Sequence, residues 1–318
     1  MDEVWSIRER IEEIDRRILT LLDERMGLVE RLADIKARRG LPLHDPEREE
    51  ELLKSLFSLP LSNLSQGELR EFYRLVFTQS VLRQLRKVSG KGHNPFPICA
   101  SILSMDPEEA SRIIKELEGR VEMVELRIDA LKGPMGEISA SVPLVLTNRR
   151  RGEGGFFGGD DGERIRQLEE GIRRLGPEYV DLEWLTPKTL KKRILGRGVK
   201  VILSFHDLDG TPDPQQLLEL LEEMARDRAE IYKIVTTARD PADSLKVLFF
   251  LREAKRRGFR VVAHAMRDHG RLSRLLSPFF GAPFVYASPW KGKEAASGQM
   301  TPEELREGWL LLWRWLCA

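Results

Sequence analysis

Residues 199–238 read VKVILSFHDLDGTPDPQQLLELLEEMARDRAEIYKIVTTA. Two apolar runs rich in β-branched residues, VKVILSFHD and IYKIVTTA, flank DPQQLLELLEEMARDR, whose leucines recur at helical spacing. A strand, a helix and a second strand form the unit that joins parallel neighbours. The same alternation extends both ways. PICASIL, VEMVELRID, VPLVLTN and YVDLEW precede it, and FRVVAHAM and FVYASP follow, with helical stretches such as DPEEASRIIKELEG and DGERIRQLEEGIRRLG between. Eight such strands within about 220 residues predict a (β/α)8 TIM barrel. An open doubly wound sheet is the alternative, but no GxGxxG follows the first strand, and the barrel is favoured.

Residues 1–88 have another period. Ile7, Ile11, Ile14, Ile18, Leu21, Leu28, Leu32 and Ile35 form a helical stripe that runs toward Gly40. Gly40 and Pro42 end it. Asp45 caps a second helix with Pro46 at its first position, and SQGE from Ser65 opens a third that reaches Val88. A first helix of roughly 35 residues, about 50 Å long, exceeds what two short partners can cover. A second copy of the chain is therefore expected to cover it. SGKGHNPFP then reads as a linker. The chain is multidomain on this reading: an all-α, three-helix dimerising domain over 1–88, a linker over 89–96 and the barrel over 97–318.

A formal charge of +1 over 318 residues leaves no basic excess to mark nucleic acid as a partner. No run reaches the roughly 18–20 apolar residues of a membrane span, and the acidic, amphipathic N-terminus is no signal peptide. Cys99 and Cys317 lack metal spacing and suit a reduced, cytoplasmic protein.

In barrels of this kind the reacting groups gather at the C-terminal strand ends. Glu125, Arg127 and Asp129 alternate onto one face of ELRID, and Arg149 and Glu153 follow the third strand. His206 ends the fifth strand, Lys233 lies in the sixth, and Arg274 and Gln299 follow the seventh and eighth. A lysine in a buried strand is either ion-paired inside the protein or kept partly neutral to attack a carbonyl. Neighbouring arginines favour the neutral amine, its imine with a ketone is an electron sink, and a histidine can move the α-proton. Arginines suit a substrate carboxylate. The residues alone thus predict a Schiff-base lyase or aldolase acting on a carboxylated keto compound.

ELRID, R-x-x-x-E-G-G from Arg149, S-x-H-D from Ser204, YKI around Lys233, M-x-x-x-G-x-x-S-R from Met266 and GQ at Gly298 occur in this order. Together they resemble type I 3-dehydroquinate dehydratase across residues 97–318. The resemblance implies conversion of 3-dehydroquinate to 3-dehydroshikimate through an imine on Lys233, with His206 as general acid and base and Glu153 orienting it. Glu125, Arg127, Arg149, Arg274 and Gln299, with Ser101 a weaker candidate, would hold the substrate's hydroxyls and carboxylate. Ala295 departs from the pattern, which has a hydroxyl residue there. Weaker binding is expected from it. His264 is expected to pack in the interior rather than act as a second base.

In the helical part, Arg25 interrupts the apolar stripe, and Lys36, eleven residues on, lies about 20° away around the helix. Arg8 lies about 100° off that face and would reach a site in a partner copy. Ser80 and Gln84 share a face of the third helix. A dimerisation domain with Arg25 ion-paired to Glu49 or Asp45 would explain the same pattern. Arg8, Arg25, Lys36, Asp45, Glu49, Ser80 and Gln84 together resemble the all-helical chorismate mutase family. That resemblance assigns the two carboxylates of chorismate to Arg8 and Arg25 with help from Ser80, donors to the ether oxygen to Lys36 and Gln84, and contacts with the hydroxyl to Asp45 and Glu49. The rearrangement is unimolecular and needs only a site that holds the reactive conformer. The whole reads as a cytoplasmic, homodimeric bifunctional enzyme of aromatic biosynthesis, acting on small molecules without metal or organic cofactor. The alternative makes the helical part a module that senses chorismate or prephenate and regulates the barrel.

Overall fold

The computed structural model of the protein describes residues 3–39, 45–89, 96–133, 135 and 138–316. Gly40, Pro42, Cys317 and residues 90–95 of the expected linker lie outside the described residues. The chain divides into two compact units, Met1–Pro95 with Leu310–Ala318, and Phe96–Trp309. No helix is long and apolar enough to cross a membrane among the described residues.

Helices α1 (Glu3–Arg39), α2 (Pro46–Phe57) and α3 (Gln66–Ser89) form the first unit. Their starts follow the local chemistry. The Asp45 carboxylate accepts from the Arg48 backbone N–H at 3.1 Å, and Ser65 and Glu68 bond reciprocally across the first turn of α3. Val29 and Ala33 of α1 are buried, as are Leu53 of α2 and Val76, Phe77 and Val81 of α3. The stripe of Ile7, Ile11, Ile14 and Ile18 is not covered within the chain and stays 42–56% exposed. Among the described residues, the buried apolar side chains of α1 thus lie in its C-terminal half.

In the second unit, β1 (Ile98–Ile102), β2 (Met123–Arg127), β3 (Leu144–Thr147), β4 (Tyr179–Glu183), β5 (Lys200–His206), β6 (Ile231–Thr237), β7 (Val261–Met266) and β8 (Val285–Ala287) are all parallel. Their order β7-β6-β5-β4-β3-β2-β1-β8 makes a nearly closed barrel, with no ladder between β7 and β8 among the described residues. Helices α4 (Pro107–Leu117), α5 (Asp161–Leu175), α6 (Lys188–Leu195), α7 (Pro214–Met224), α8 (Pro241–Arg256), α9 (Arg271–Leu276) and α10 (Pro302–Leu316) complete it. The β2–β3 connection carries no helix among the described residues. Strands covered on both faces read as the unbroken apolar runs seen in the sequence.

The strand period of two sets the interior in tiers. Cys99, Met123, Val145, Tyr179, Ile202, Ile231, Val262 and Tyr286 belong to one apolar cluster. Two positions toward the C-terminal ends of β1–β7 stand Ser101, Glu125, Thr147, Asp181, Ser204, Lys233 and His264, all buried. A polar tier therefore rests on an apolar floor. The next step brings Arg127, Arg149, Glu183, His206, Val235 and Met266.

Candidate active site

Lys233 enters this tier in register with Ser204 of β5 and Val262 of β7. Its ammonium donates to Asp181 Oδ2 at 2.9 Å and to Glu125 Oε1 at 3.4 Å, and it sits 4.1 Å from the centre of the Tyr286 ring. Of the two sequence-level expectations for this lysine, the interior ion pair is what the unliganded site contains. Glu125 is held in place by Ser101 and Thr147, whose hydroxyls donate to it at 2.7 and 2.8 Å. Asp181 accepts from Ser204 Oγ at 2.5 Å and lies 2.7 Å from Arg149 Nη2. Burial opposes its charge, yet Arg149 and Lys233 outweigh burial and hold its carboxyl below the usual carboxylate range.

His206 Nδ1 meets Glu153 Oε2 at 2.9 Å. Burial pushes this imidazole well below its ordinary value, and the charges of Arg149 and Lys233 push it further, so the ring is neutral at ordinary pH. Burial raises the Glu153 carboxyl to about 7 against the pull of Arg149. An ionised Glu153 accepts from the Nδ1–H tautomer and leaves Nε2 as a free base. The loop that carries Glu153 turns on glycines. Gly154 has φ +80°, and a Cβ on Gly155 would stand 2.1 Å from the Arg149 carbonyl oxygen. Phe156 N–H donates to Asp129 Oδ2 at 3.0 Å, which ties the loop to the end of β2.

Arg149 and Arg127 are both buried but differently engaged. Arg149 Nη1 donates to Ser204 Oγ at 2.8 Å and reaches Glu183 at 3.3 Å and Glu153 at 3.4 Å. Glu183 is itself clamped by Arg150 at 2.5 Å and Arg164 of α5 at 2.8 Å. Arg127 makes a two-pronged pair with Asp129 at 2.8 and 2.7 Å, not with Glu125. Arg274 of α9 is the exception. It is fully buried, and among the described residues its Nε and Nη1 have no partner and Nη2 reaches only the Ser297 carbonyl at 3.5 Å. Burial beside Arg271 pulls it down to about 9, the mark of a cation without an anion.

Ser101, Glu125, Arg127, Arg149, Glu153, His206, Lys233 and Gln299 line one cavity of about 300 Å³. Ala295, Ser297, Tyr286 and His264 line it too. His264 is buried against the Tyr286 ring, as expected of a packing residue, and also lines the cavity. Gln299 Oε1 accepts from the backbone N–H groups of Ala295 and Ala296 at 2.8 and 3.3 Å and so shapes the loop around its own amide. Asp181, Glu183 and Tyr286 were not singled out from the sequence. The signal was the pair of carboxylates two apart inside YVDLEW, a strand otherwise fit for an apolar interior.

In the helical unit Arg25 Nη1 donates to Ser80 Oγ at 2.5 Å. Gln84 is buried one turn on from Ser80, and its Oε1 has no partner among the described residues. Lys36 and Glu49 are half-buried. Asp45 is exposed and its carboxylate is engaged as the cap of α2. Arg8 is exposed, about 25 Å from Arg25 along α1, so one copy does not bring the two together.

Residues 98–312 match the family described as type I 3-dehydroquinase, and residues 7–85 match chorismate mutase type II. A 3-dehydroquinate dehydratase of Dehalococcoides mccartyi is 37% identical over 216 residues, 66% of this chain and 93% of its own. That of Thermococcus gammatolerans is 36% identical over 216 residues, 66% of this chain and 96% of its own. Among solved structures, 3-dehydroquinate dehydratase from Geobacillus kaustophilus shares the fold with a TM-score of 0.60 at 24% identity, over 69% of this chain and 92% of that one. The Aquifex aeolicus protein of the same description gives 0.53 at 25% identity, over 67% and 97%.

Proposed function

The chain belongs to the type I 3-dehydroquinase family and carries a chorismate mutase type II domain, and from that premise we propose that its barrel dehydrates 3-dehydroquinate through an imine on Lys233. The observation that carries this reading is that Lys233, alone of the lysines among the described residues, lines the cavity and shares it with a neutral, carboxylate-held His206. His206 Nε2 takes a proton from the Lys233 ammonium, the freed amine adds to the substrate ketone, and the same proton is returned to the carbinolamine hydroxyl, which leaves as water and gives the iminium. His206 Nε2 takes the proton from the carbon next to it, and the electron pair moves into the iminium as an enamine. The pair returns to expel the β-hydroxyl, which leaves as water with the proton that His206 took up. Water then hydrolyses the imine and frees Lys233. Asp181 and Glu125 balance the cationic intermediate. Arg274, with two unpaired nitrogens, is the receptor for the substrate carboxylate.

For the helical unit the same premise supports rearrangement of chorismate to prephenate. Arg25 and Ser80 supply a preformed carboxylate site, and Lys36 and Gln84 supply donors to the ether oxygen. The uncovered stripe of α1 supports a homodimer, since burying each isoleucine is worth about 1.5–3 kcal/mol. Arg8 then serves the partner's site.

Borohydride trapping tests the barrel reading: an adduct mapped to Lys233 after incubation with 3-dehydroquinate is expected, together with dehydroshikimate absorbance in untreated enzyme. An active enzyme that leaves Lys233 unmodified would overturn the imine. Chorismate consumption with prephenate formation tests the helical unit, and tight chorismate binding without turnover would make it a binding module.

A further inference from the structure

The polar tier holds an imidazole, His264, that the proposed reaction does not use. His264 stands on β7 between Val262 of the apolar floor and Met266 at the mouth, in register with Val235 of β6. It is 5% exposed and lines the cavity, with the Tyr286 ring edge-on at 6.3 Å. Every other side chain of the tier is hydrogen-bonded: Ser101 and Thr147 to Glu125, Ser204 to Asp181, Lys233 to both carboxylates. His264 alone makes no hydrogen bond to a described residue. An apolar side chain would pack against Tyr286 as well, and the imidazole instead adds a hydrogen-bonding group to the cavity wall.

Resting on the barrel reading above, we propose that His264 is a substrate-contacting residue whose N–H donates to the carboxylate held by Arg274. Burial pushes its imidazole well below the ordinary value, and Arg274 and then Lys233 add to the push, so the ring is a neutral donor rather than a third cation. Arg274, the nearer of those charges in effect, has its own Nε and Nη1 unpaired. The loop around both is fixed to the end of β7: Arg267 N–H donates to the Ser297 carbonyl at 3.2 Å, and Arg274 reaches the same oxygen. From that loop Ala295 lines the cavity and presents no polar atom. A charged donor set on Arg274 and a neutral one on His264, close enough for the first to act on the second, fit the two oxygens of a carboxylate.

Steady-state dehydration kinetics of the full chain test this, with thermal melting to check each variant's fold. His264→Leu is expected to raise KM for 3-dehydroquinate roughly 10- to 100-fold, the cost of a lost hydrogen bond to a charged group. Its kcat should hold within about threefold, because the contact is made equally in ground and transition states. His264→Gln, which keeps a donor, should recover most of the KM, and adding Ala295→Ser to His264→Leu should recover part. A KM for His264→Leu within about twofold of wild type, or a loss in kcat with KM unchanged, overturns the assignment. If His264→Leu does not fold, Ala295→Ser alone decides. A KM within about twofold of wild type supports a carboxylate already served, and a roughly tenfold fall shows one short of a donor and overturns the proposal. A wild-type enzyme that forms no dehydroshikimate sinks the barrel reading and this inference together. Activity in wild type with an indifferent His264→Leu sinks this inference alone.

Discussion

Lys233 Nζ lies 2.9 Å from Asp181 Oδ2, and both side chains are almost wholly out of solvent, at 6% and 0% exposure. Asp181 also faces Arg149 Nη2 at 2.7 Å, so two buried cations share this carboxylate. It thereby sets where the amine stands before the substrate arrives. Asp181→Asn keeps the shape and removes the charge, leaving two cations short of a counter-ion. We expect it to lower unfolding stability by about 3–5 kcal/mol in chemical denaturation. Dehydration should fall by roughly tenfold or more even where the variant is fully folded, because the cationic intermediate loses its balancing charge. A folded variant with wild-type kcat would show that Asp181 serves the fold alone.

The pair His206 and Glu153 makes a pH signature. In the free enzyme Glu153 titrates at about 7, and below that its protonated carboxyl no longer holds His206 in the basic tautomer. The acid limb of kcat/KM is therefore expected near pH 7. Glu153→Gln retains an acceptor for Nδ1–H and removes the titration, so the limb should move to lower pH, where His206 itself takes a proton. Stability changes in the opposite sense. A carboxyl raised from 4.5 to about 7 in the fold contributes stability below pH 4.5 that is lost as pH rises through 7. His206, lowered by burial, contributes stability above its ordinary 6.5 that is lost on acidification. Melting temperature followed from pH 4.5 to 7 should thus fall less with rising pH in Glu153→Gln than in wild type.

The sequence disclosed those parts of the site that follow from strand alternation. Glu125, His206 and Lys233 stand in runs whose period of two assigns a face, and the glycines after Arg149 announce the turn that presents Glu153. Asp181 escaped because its importance lies in what stands across from it. Thr147 pairs in register with Asp181, and Ser204 with Lys233, and registers between strands are not written in any one strand. His264 reads as a packing residue because its apolar neighbours in sequence do not show the polar tier it joins in space. Asp45 reads from the sequence both as the cap of α2 and as a substrate contact, and its Oδ1 accepts the capping bond from the Arg48 N–H.

Gly155 tests how closely the loop must hold Glu153. A methyl group there would meet the Arg149 carbonyl oxygen at 2.1 Å, a backbone atom that cannot swing aside. Gly155→Ala must shift the turn and carry Glu153 away from His206. A displacement on the order of 1 Å at such a group costs about 100-fold in rate, and that loss is expected in kcat with melting little changed. Full activity in Gly155→Ala would mean that His206 works without Glu153 beside it.

The length of α1 makes the helical unit's proposed activity a property of two copies. Arg8 and Arg25 are about 25 Å apart on one helix, too far to grip one small dianion, yet an antiparallel partner helix can bring Arg8 of one copy to Arg25 of the other. Arg8→Ala and Arg25→Ala should each abolish prephenate formation while dehydration continues at the wild-type rate. Mixed after unfolding and refolded together, the two inactive variants form hybrid dimers in which one of two sites regains both arginines. Recovery of about a quarter of wild-type activity is expected, from half hybrids with one good site each. Ile11→Arg, placed on the exposed stripe, should give monomers in sedimentation and prevent that recovery. If the refolded mixture stays inactive while dimers persist, Arg8 does not serve the partner's site.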